Sequence, residues 1–313
     1  MRAIIIEKPG DVNQLIYTEI ERPAVLSDEV LIKVKAISIN PVDIKTRTGN
    51  GVYGRISSES PLILGWDIAG VIESVGSAVT KFKSGEEVFG MVNFPGHGRA
   101  YAEYVAAPEG QLALKPVNIS FEEAVASTLA VLTAWQALVK NAKVKAGQKV
   151  LIHAAAGGVG HFAVQIAKYL GAEVTGTSSS KHRDFVMSLG ADAHIDYRDY
   201  RWERHPNQFD LVLDAIGGDN IQRSLVVAKE GGTVISIPAG LGEAAQQTAE
   251  LKSIDAYFFL VQSDGEDMKQ IASLLEAGQL KASVQEVFPF TEMKQAHLKL
   301  ETGRTVGKIV VSL

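Results

Sequence analysis

Three glycines and a run of hydroxyl side chains in residues 150–181 have the types and spacing to bind a phosphorylated ligand. The stretch is VLIHAAAGGVGHFAVQIAKYLGAEVTGTSSSK. In the dinucleotide fingerprint G-x-G-x-x-G, the glycines permit a tight strand-to-helix turn and a close approach of the backbone to pyrophosphate. Ala155 stands at the first glycine position, and Gly157 and Gly160 stand at the other two, with an additional Gly158. Taken alone, the pattern is also compatible with a tight turn that binds nothing.

The flanking sequence favours a cofactor site over an empty turn. KVLIHA, before the glycines, is typical of a buried strand, and HFAVQIAKYL, after them, has apolar residues at helical spacing. A helix that begins at the glycines directs its free N–H groups and the positive end of its dipole at the pyrophosphate. The turn residues that we predict to bind the cofactor are Gly157, Gly158, Val159 and Gly160.

The end of the next predicted strand, EVTGTS, carries the residues that distinguish one dinucleotide from another. A free ribose 2′-OH is normally held by an Asp or Glu about 20 residues beyond the glycines. This chain has SSSK there instead, at residues 178–181. A carboxylate would repel a 2′-phosphate, whereas hydroxyl groups donate hydrogen bonds to it and a lysine supplies the opposite charge. We therefore predict NADP(H) as the cofactor, bound through Ser178, Ser179 and Lys181; the alternative is a solvated polar loop.

Two patterns of periodicity predict two domains. Up to about residue 118, short apolar runs such as VLIKVKA alternate with turn residues, which is typical of a β-rich barrel or sandwich. From Ser120, with Glu123 as its capping-box partner, helices and strands alternate, which predicts a doubly wound parallel sheet of the α/β class. We assign residues 120–257 to a Rossmann dinucleotide-binding domain. Residues 1–119 form the β-rich domain, and residues 258–313 complete it.

Composition argues against several classes of function. The chain has 313 residues, 46% of them hydrophobic and 21% charged, which is typical of a soluble globular protein. A net charge of -5 at pH 7 and scattered basic residues argue against nucleic acid and membrane surfaces as partners. The most apolar segment, residues 124–139, is too short to span a bilayer, and we expect a buried helix there. The N-terminus lacks the pattern of a targeting peptide, so we expect a cytoplasmic location.

Motifs along most of the chain resemble those of one family. They are NPVD (40–43), GWDIAGVIESVG (65–76), GEEVFG (85–90), LTAWQAL (132–138), HAAAGGVG (153–160), LGAD (189–192), IDY (195–197) and GRTVGKIVV (303–311). With these motifs the chain resembles the zinc-independent quinone oxidoreductase-like branch of the medium-chain dehydrogenase/reductase superfamily. The resemblance implies a GroES-like catalytic domain in addition to the Rossmann domain, a small-molecule quinone or enone substrate, and a homodimer.

The positions that match zinc ligands carry other residues. In zinc alcohol dehydrogenases that resemble this chain, a Cys matches Asn40 and a His-Glu pair matches Trp66 and Asp67. Cysteine is absent from the whole sequence, so no thiolate ligand is available to zinc. The cysteine-rich lobe that would follow FGMVNF is also missing, and the histidines have no metal-ligand spacing. We predict that the protein binds no metal.

Without a Lewis acid, hydride transfer is restricted to acceptors that are already electrophilic, such as quinones and α,β-unsaturated carbonyls. The resemblance implies that Asn40 and Tyr53 are catalytic and also contact the cofactor. The further cofactor-binding residues that it implies are Thr133 at the nicotinamide, Tyr197 at the 2′-phosphate, Ile237 and Phe259 near the carboxamide, and Lys308. Each has a simpler interpretation: Asn40 as a turn residue, Thr133 as a helix residue bonded to its own backbone, and the tyrosines as surface aromatics.

Two other functions stay open at the level of sequence. An enoyl-thioester reductase shares the hydride step but needs a long acyl channel. A cofactor-binding protein without significant turnover, comparable to the lens-crystallin use of this family, also fits. The sequence does not separate these from an NADPH-dependent quinone or enone reductase.

Overall fold

Two units make up the chain, and the computed structural model describes all of residues 1–313. Unit 1 consists of Met1–Leu132 and Gln262–Leu313, and unit 2 consists of Thr133–Val261. The C-terminal segment belongs to unit 1 because its last strand, Lys308–Ser312, pairs with Glu29–Ile39. The predicted domain limits after residues 119 and 257 both lie earlier in the chain than the limits of these units.

The helices and strands are numbered in chain order. The strands are β1 (Arg2–Ile6), β2 (Ile16–Glu19), β3 (Glu29–Ile39), β4 (Leu62–Ile63), β5 (Asp67–Val75), β6 (Glu87–Met91), β7 (Tyr104–Pro108), β8 (Ala113–Leu114), β9 (Lys149–Ile152), β10 (Glu173–Ser178), β11 (Ala193–Asp196), β12 (Phe209–Asp214), β13 (Ala228–Ser236), β14 (Asp255–Phe258), β15 (Val284–Pro289) and β16 (Lys308–Ser312). The α-helices are α1 (Pro41–Arg47), α2 (Tyr53–Ile56), α3 (Phe121–Ala126), α4 (Leu129–Trp135), α5 (Gly160–Tyr169), α6 (Arg183–Ser188), α7 (Asn220–Val227), α8 (Glu243–Leu251), α9 (Gly265–Glu276) and α10 (Met293–Glu301). None of them combines the length and the apolar character required to span a bilayer.

The large sheet of unit 1 brings the ends of three distant segments together. Its strand order is β15-β16-β3-β5-β6-β8, with β7 also paired to β3, and a small second sheet has the order β2-β1-β4. β3 runs antiparallel to β5, with Ser38 opposite Asp67. On its other side β3 runs antiparallel to β16, with Ile39 opposite Ile309. The C-terminal end of β3 therefore lies next to the first residues of β5 and β16.

Unit 2 is a doubly wound sheet, which confirms the predicted fold class. Its strand order is β11-β10-β9-β12-β13-β14, and every neighbouring pair is parallel. The order changes direction between β9 and β12, and ligands of such sheets bind outside the carboxyl ends of the strands at this point. The periodicity did not predict α8 or β14. Only Ala245 and Ala249 of α8 are buried, so this helix has no apolar stripe for a pattern to detect.

The single helix predicted after Ser120 is two α-helices, the second of which continues into a π-helix at Gln136–Asn141. The capping box is present, because the Ser120 N–H donates to Glu123 Oε2 (2.9 Å) and the Glu123 N–H donates to Ser120 Oγ (3.2 Å). The first helix, α3, packs on β3 and β5 of unit 1. The second helix, α4, begins where the Leu129 N–H donates to the buried Asp67 carboxylate (2.9 Å). An acceptor that is distant in sequence therefore binds the first N–H group of this helix.

Candidate active site

The glycine turn joins β9 to α5 in unit 2. Gly160, the first residue of α5, packs so tightly that a Cβ placed on it would lie 2.1 Å from the Ala154 carbonyl oxygen. A Cβ on Gly157 would lie 3.2 Å from the same oxygen. Gly158 and Val159 complete the turn and are half-buried. The steric role of the last glycine is therefore the close packing of a helix on the turn before it.

The end of β10 carries the serines and the lysine predicted at a 2′-phosphate. Ser178 pairs with Asp196 in the register of β10 and β11, and the Tyr197 N–H donates to the Ser178 carbonyl (3.4 Å). The structure thus places the Tyr197 backbone next to the first residue of the SSSK run. Ser179 is half-buried and Lys181 is exposed.

The Ser178 side chain is occupied within the chain. Its hydroxyl donates to the Ser179 carbonyl (3.0 Å) and lies 2.8 Å from His194 Nε2. Because the hydroxyl proton is directed at the carbonyl, His194 Nε2 carries the proton that it donates to Ser178 Oγ. Burial lowers the pKa of His194. Ser178 is therefore held inward, whereas Ser180 and Lys181 are the exposed members of the run.

Three further predicted cofactor-binding residues of unit 2 lie away from the glycine turn and the end of β10. They are Ile237, Phe259 and Thr133. The Ile237 N–H donates to the Asp214 carbonyl (3.0 Å), and the Phe259 N–H donates to the Ser236 carbonyl (2.8 Å). These two N–H groups are already paired, so a contact from either backbone to a carboxamide would use its carbonyl oxygen. Thr133 is buried on α4.

Unit 1 holds Asn40 in a buried cluster with Lys308 and Asp67. Asn40 Nδ2 donates to Asp67 Oδ2 (2.7 Å), and the Lys308 ammonium donates to Asn40 Oδ1 and to the Ile39 carbonyl (3.1 Å). A carboxylate only accepts and an ammonium only donates, so these two partners fix which way the amide points. The three side chains meet because Asn40 follows β3, Asp67 begins β5 and Lys308 begins β16.

Charge in this cluster is buried and partly compensated. The Lys308 side chain is 3% exposed, the Asp67 side chain is 0% exposed, and Lys308 Nζ lies 4.0 Å from Asp67 Oδ2. Burial lowers the pKa of Lys308, and the carboxylates of Asp67 and Asp43 oppose that shift. Asp67 also accepts hydrogen bonds from the Ser38 hydroxyl (2.9 Å) and from the Leu129 N–H (2.9 Å).

A second buried network adjoins the first through Asp43, whose Oδ2 accepts the Asn40 N–H (2.6 Å). Arg47 Nη1 lies 3.1 Å from His297 Nδ1, and His297 Nε2 lies 2.9 Å from the Tyr101 hydroxyl oxygen. Arginine can only donate, so His297 accepts at Nδ1 and donates from Nε2 to Tyr101. The Tyr101 proton is then free to turn to Asp43 Oδ1, a buried oxygen without another partner.

The protonation state of His297 agrees with its part in that assignment. Burial, reinforced by the Arg47 charge, lowers the pKa of His297 to about 3, so the ring is neutral at ordinary pH. Burial raises the pKa of Asp43 to about 8. Arg47 also forms an ion pair with Glu301. Nothing in the sequence pattern signals this network, because Tyr101 and His297 are 196 positions apart.

Tyr53 stands outside both hydrogen-bonded clusters. It is the first residue of α2 and is half-buried, and its N–H donates to the Asn50 carbonyl (3.0 Å). Of the predicted residues in unit 1, the structure thus joins Asn40 and Lys308 directly but gives Tyr53 no bond to either.

The position that matches a histidine ligand in zinc relatives is filled by a packed indole. Trp66 is fully buried, its Nε1 donates to the Gly96 carbonyl (2.7 Å), and its ring meets Phe94 edge-to-face. The structure contains no group of three or more His, Cys, Asp or Glu side chains arranged to hold a metal ion.

Comparisons with known proteins agree on one family. Residues 26–117 match the alcohol dehydrogenase GroES-like domain family, and residues 189–311 match the zinc-binding dehydrogenase family. The chain is 37% identical over 298 residues to the 2-methylene-furan-3-one reductase of Solanum lycopersicum, covering 92% of this chain and 73% of that protein. It is 36% identical over 321 aligned residues to the chloroplastic NADPH-dependent alkenal/one oxidoreductase of Arabidopsis thaliana, covering 99% of this chain and 79% of that protein. The structure of the quinone oxidoreductase from Coxiella burnetii is similar over 100% of this chain and 99% of that chain, with 35% identity and a TM-score of 0.94.

Proposed function

The chain belongs to the quinone oxidoreductase-like branch of the medium-chain dehydrogenase/reductase superfamily, and we propose from this that it is an NADPH-dependent reductase of quinones or α,β-unsaturated carbonyls. The relatives' names support this class: an alkenal/one oxidoreductase that is NADPH-dependent, a methylene-furanone reductase and a quinone oxidoreductase. These are reductions of conjugated acceptors, which need no metal to become electrophilic.

The residues at the carboxyl ends of β9 and β10 fit NADPH. The turn Gly157–Gly160 leads into α5, a helix of ten residues, and the positive end of its dipole suits a pyrophosphate, although the His161 N–H already donates to the Gly157 carbonyl (3.0 Å). Ser179, Lys181 and Tyr197 suit the 2′-phosphate, and Ser178 would have to rotate its hydroxyl to join them. When bound, NADPH supplies a hydride to the acceptor.

Asn40 is the residue that we propose to position the reacting groups in unit 1, with Thr133 as the residue of unit 2 that contacts the nicotinamide. The Asn40 amide cannot rotate without breaking its bonds to Lys308 and Asp67. Its Nδ2 donates one hydrogen bond to Asp67, so a second N–H remains that we propose to donate to the bound reactants. A fixed donor of this kind lowers the entropic cost of aligning an acceptor.

The chemistry of the donor set supports the proposal that the protein is independent of zinc. An indole N–H has no lone pair for a metal, and Trp66 uses its N–H on a carbonyl. The remaining carboxylate, Asp67, accepts three hydrogen bonds and lies 4.0 Å from an ammonium that would repel a divalent cation. We therefore propose that the match to a zinc-binding dehydrogenase family reflects shared ancestry of the fold and not a zinc site in this chain.

The observation that carries the proposed cofactor is the end of β10, where hydroxyl groups and Lys181 stand in place of a carboxylate. The test is NADPH and NADH oxidation with a panel of quinones, enones and an enoyl thioester. We expect turnover with quinones or enones and a preference for NADPH. Turnover confined to the enoyl thioester would support the enoyl-reductase alternative. NADPH binding without oxidation by any acceptor would support a cofactor-binding protein instead.

We also propose that the protein forms a homodimer and is cytoplasmic. β14 is the edge strand of the sheet in unit 2, and Phe258 on it is exposed. An exposed edge strand offers unpaired backbone groups to a second copy. Sedimentation at several protein concentrations tests the dimer, and a monomer at every concentration would contradict it. Cell fractionation tests the location.

A further inference from the structure

Two neighbouring strands of unit 2 end side by side where the 2′-phosphate is proposed to bind. β10 and β11 are parallel, with Ser178 opposite Asp196, so the residues that follow each strand share one edge of the sheet. The SSSK run follows β10, and Tyr197 and Arg198 follow β11. The family resemblance assigns Tyr197 to this place but gives no role to Arg198.

Asp196 is unfavourable for a phosphate at this edge. Its Oδ2 accepts the Ser180 N–H (2.7 Å), a donor that an anion would otherwise use. Hydrogen bonds from Arg198 hold the pKa of Asp196 well below its usual range. Asp196 therefore keeps its negative charge at any pH at which the enzyme works, and protonation cannot remove the repulsion.

Arg198 binds this carboxylate as a fork. Nε donates to Asp196 Oδ1 (3.0 Å) and Nη2 donates to Asp196 Oδ2 (2.6 Å), while Nη2 also donates to the Ser180 hydroxyl (3.1 Å). The Nη1 group takes no part in these bonds. The Arg198 side chain is 53% exposed, whereas the Asp196 side chain is only 13% exposed. The more accessible charge of this ion pair is thus the positive one.

We propose that Arg198 is a specificity-determining residue for the 2′-phosphate. It cancels the charge of Asp196, orients the Ser180 hydroxyl, and presents Nη1 as a second cationic donor alongside Lys181. The inference rests on the proposed use of NADPH. Arg198 explains how the sheet edge at β10 and β11 can bind a phosphate although it contains the Asp196 carboxylate. The guanidinium suits this role because its planar donors can serve two anions at once.

A purely structural role for Arg198 gives a different expectation. An exposed ion pair contributes little to stability, and its loss would alter the affinities for NADPH and NADH alike. A contact to the 2′-phosphate alters only the affinity for the phosphorylated cofactor. The ratio of the two dissociation constants therefore separates the two roles.

The experiment measures dissociation constants of NADPH, NADH, 2′,5′-ADP and 5′-AMP by calorimetry, so that no turnover is needed. The variants are Arg198→Ala, the double variant Arg198→Ala with Asp196→Asn, and Arg201→Ala as a control at another exposed arginine of the same loop. For Arg198→Ala we expect NADPH and 2′,5′-ADP to bind roughly ten- to hundredfold more weakly, because a charge-assisted hydrogen bond is lost. NADH and 5′-AMP should change less than about threefold, and Arg201→Ala should resemble the wild type.

The double variant distinguishes charge cancellation from direct contact. Removing the Asp196 charge should restore part of the NADPH affinity that Arg198→Ala loses. Equal weakening of NADPH and NADH in Arg198→Ala, or no weakening of either, would overturn the assignment. Equal affinities of the wild-type protein for the two cofactors would refute the proposed NADPH preference itself, and the role of Arg198 with it.

Discussion

Lys308→Met provides a sharp test of the buried charge cluster around Asn40. The substitution keeps most of the side-chain volume and its apolar stem but removes the ammonium. In the folded chain that ammonium donates to the Ile39 carbonyl and to Asn40 Oδ1, and it is the cation nearest to the buried Asp67. The variant therefore leaves Asp67 as a buried anion without a compensating charge.

The expected loss of stability is large. Removing one partner of a buried ion pair typically costs about 3–5 kcal/mol, because the remaining charge is neither solvated nor paired. Lys308 and Asp67 are 3% and 0% exposed, so solvent screening does not reduce this figure. The Asn40 amide also loses the donor that fixes its orientation. We therefore expect lower turnover in addition to lower stability.

Lys299→Met is the matched control. Lys299 pairs with Glu286 at 2.8 Å, a shorter distance than the 4.0 Å between Lys308 and Asp67, but both side chains are about two-fifths exposed. An exposed pair of this kind contributes about 0–1 kcal/mol. The same substitution at the two lysines thus tests whether burial or the distance between the charges determines how much an ion pair contributes to the free energy of unfolding.

The assay is equilibrium unfolding in urea, with the slope checked for each variant because a chain of two units need not unfold in one step. A double variant, Lys308→Met with Asp67→Asn, removes both charges and should be less destabilised than the sum of the two single variants. Equal losses for Lys308→Met and Lys299→Met, or strict additivity in the double variant, would refute the idea that buried charge dominates this cluster.

Four further results are expected. Asn40→Ala should lower kcat with a smaller effect on NADPH affinity, because the residue positions the reacting groups; an unchanged kcat would remove it from the site. Tyr53→Phe should change kcat with quinones little, since the reduced product can take its proton from water; a loss of about tenfold or more at unchanged NADPH affinity would make Tyr53 the catalytic acid. Metal analysis should find no stoichiometric zinc, with activity retained in a chelator, and one zinc per chain whose removal abolishes activity would contradict the donor-set argument. His297 and His153 have folded-state pKa values lowered to about 3 and about 4, so below pH 6.5 the unfolded chain binds protons that the folded chain does not, and each histidine lowers stability by about 1.4 kcal/mol per pH unit. Asp43, whose folded-state pKa is raised to about 8, acts with the opposite sign between about pH 8 and pH 4, so the net loss on lowering the pH from 6.5 to 5 should be about that of one histidine. Urea midpoints that do not fall between pH 6.5 and pH 5 would contradict these shifts.

Local sequence determined the architecture of unit 2. Strands and helices differ in the spacing at which their apolar residues recur, and this spacing can be recognised within a window of about ten residues. The glycine turn before α5 and the capping box of Ser120 and Glu123 are local in the same sense, since each joins residues a few positions apart. α8 was not predicted, because its buried residues are two alanines that form no apolar stripe.

Tertiary structure alone decided the environment of the candidate site. Lys308 and Asn40 are 268 positions apart, and they meet only because β16 pairs with β3 in one particular register. The break before α4 likewise depends on Asp67, which accepts the Leu129 N–H from 62 positions away. Strand register and buried hydrogen bonds are properties of the assembled sheet, and no local period encodes them. The sequence therefore identified Asn40 and Lys308 as candidates through resemblance. The pairing of β3, β5 and β16 determined that they meet beside a buried carboxylate, which orients the Asn40 amide and partly compensates the Lys308 charge.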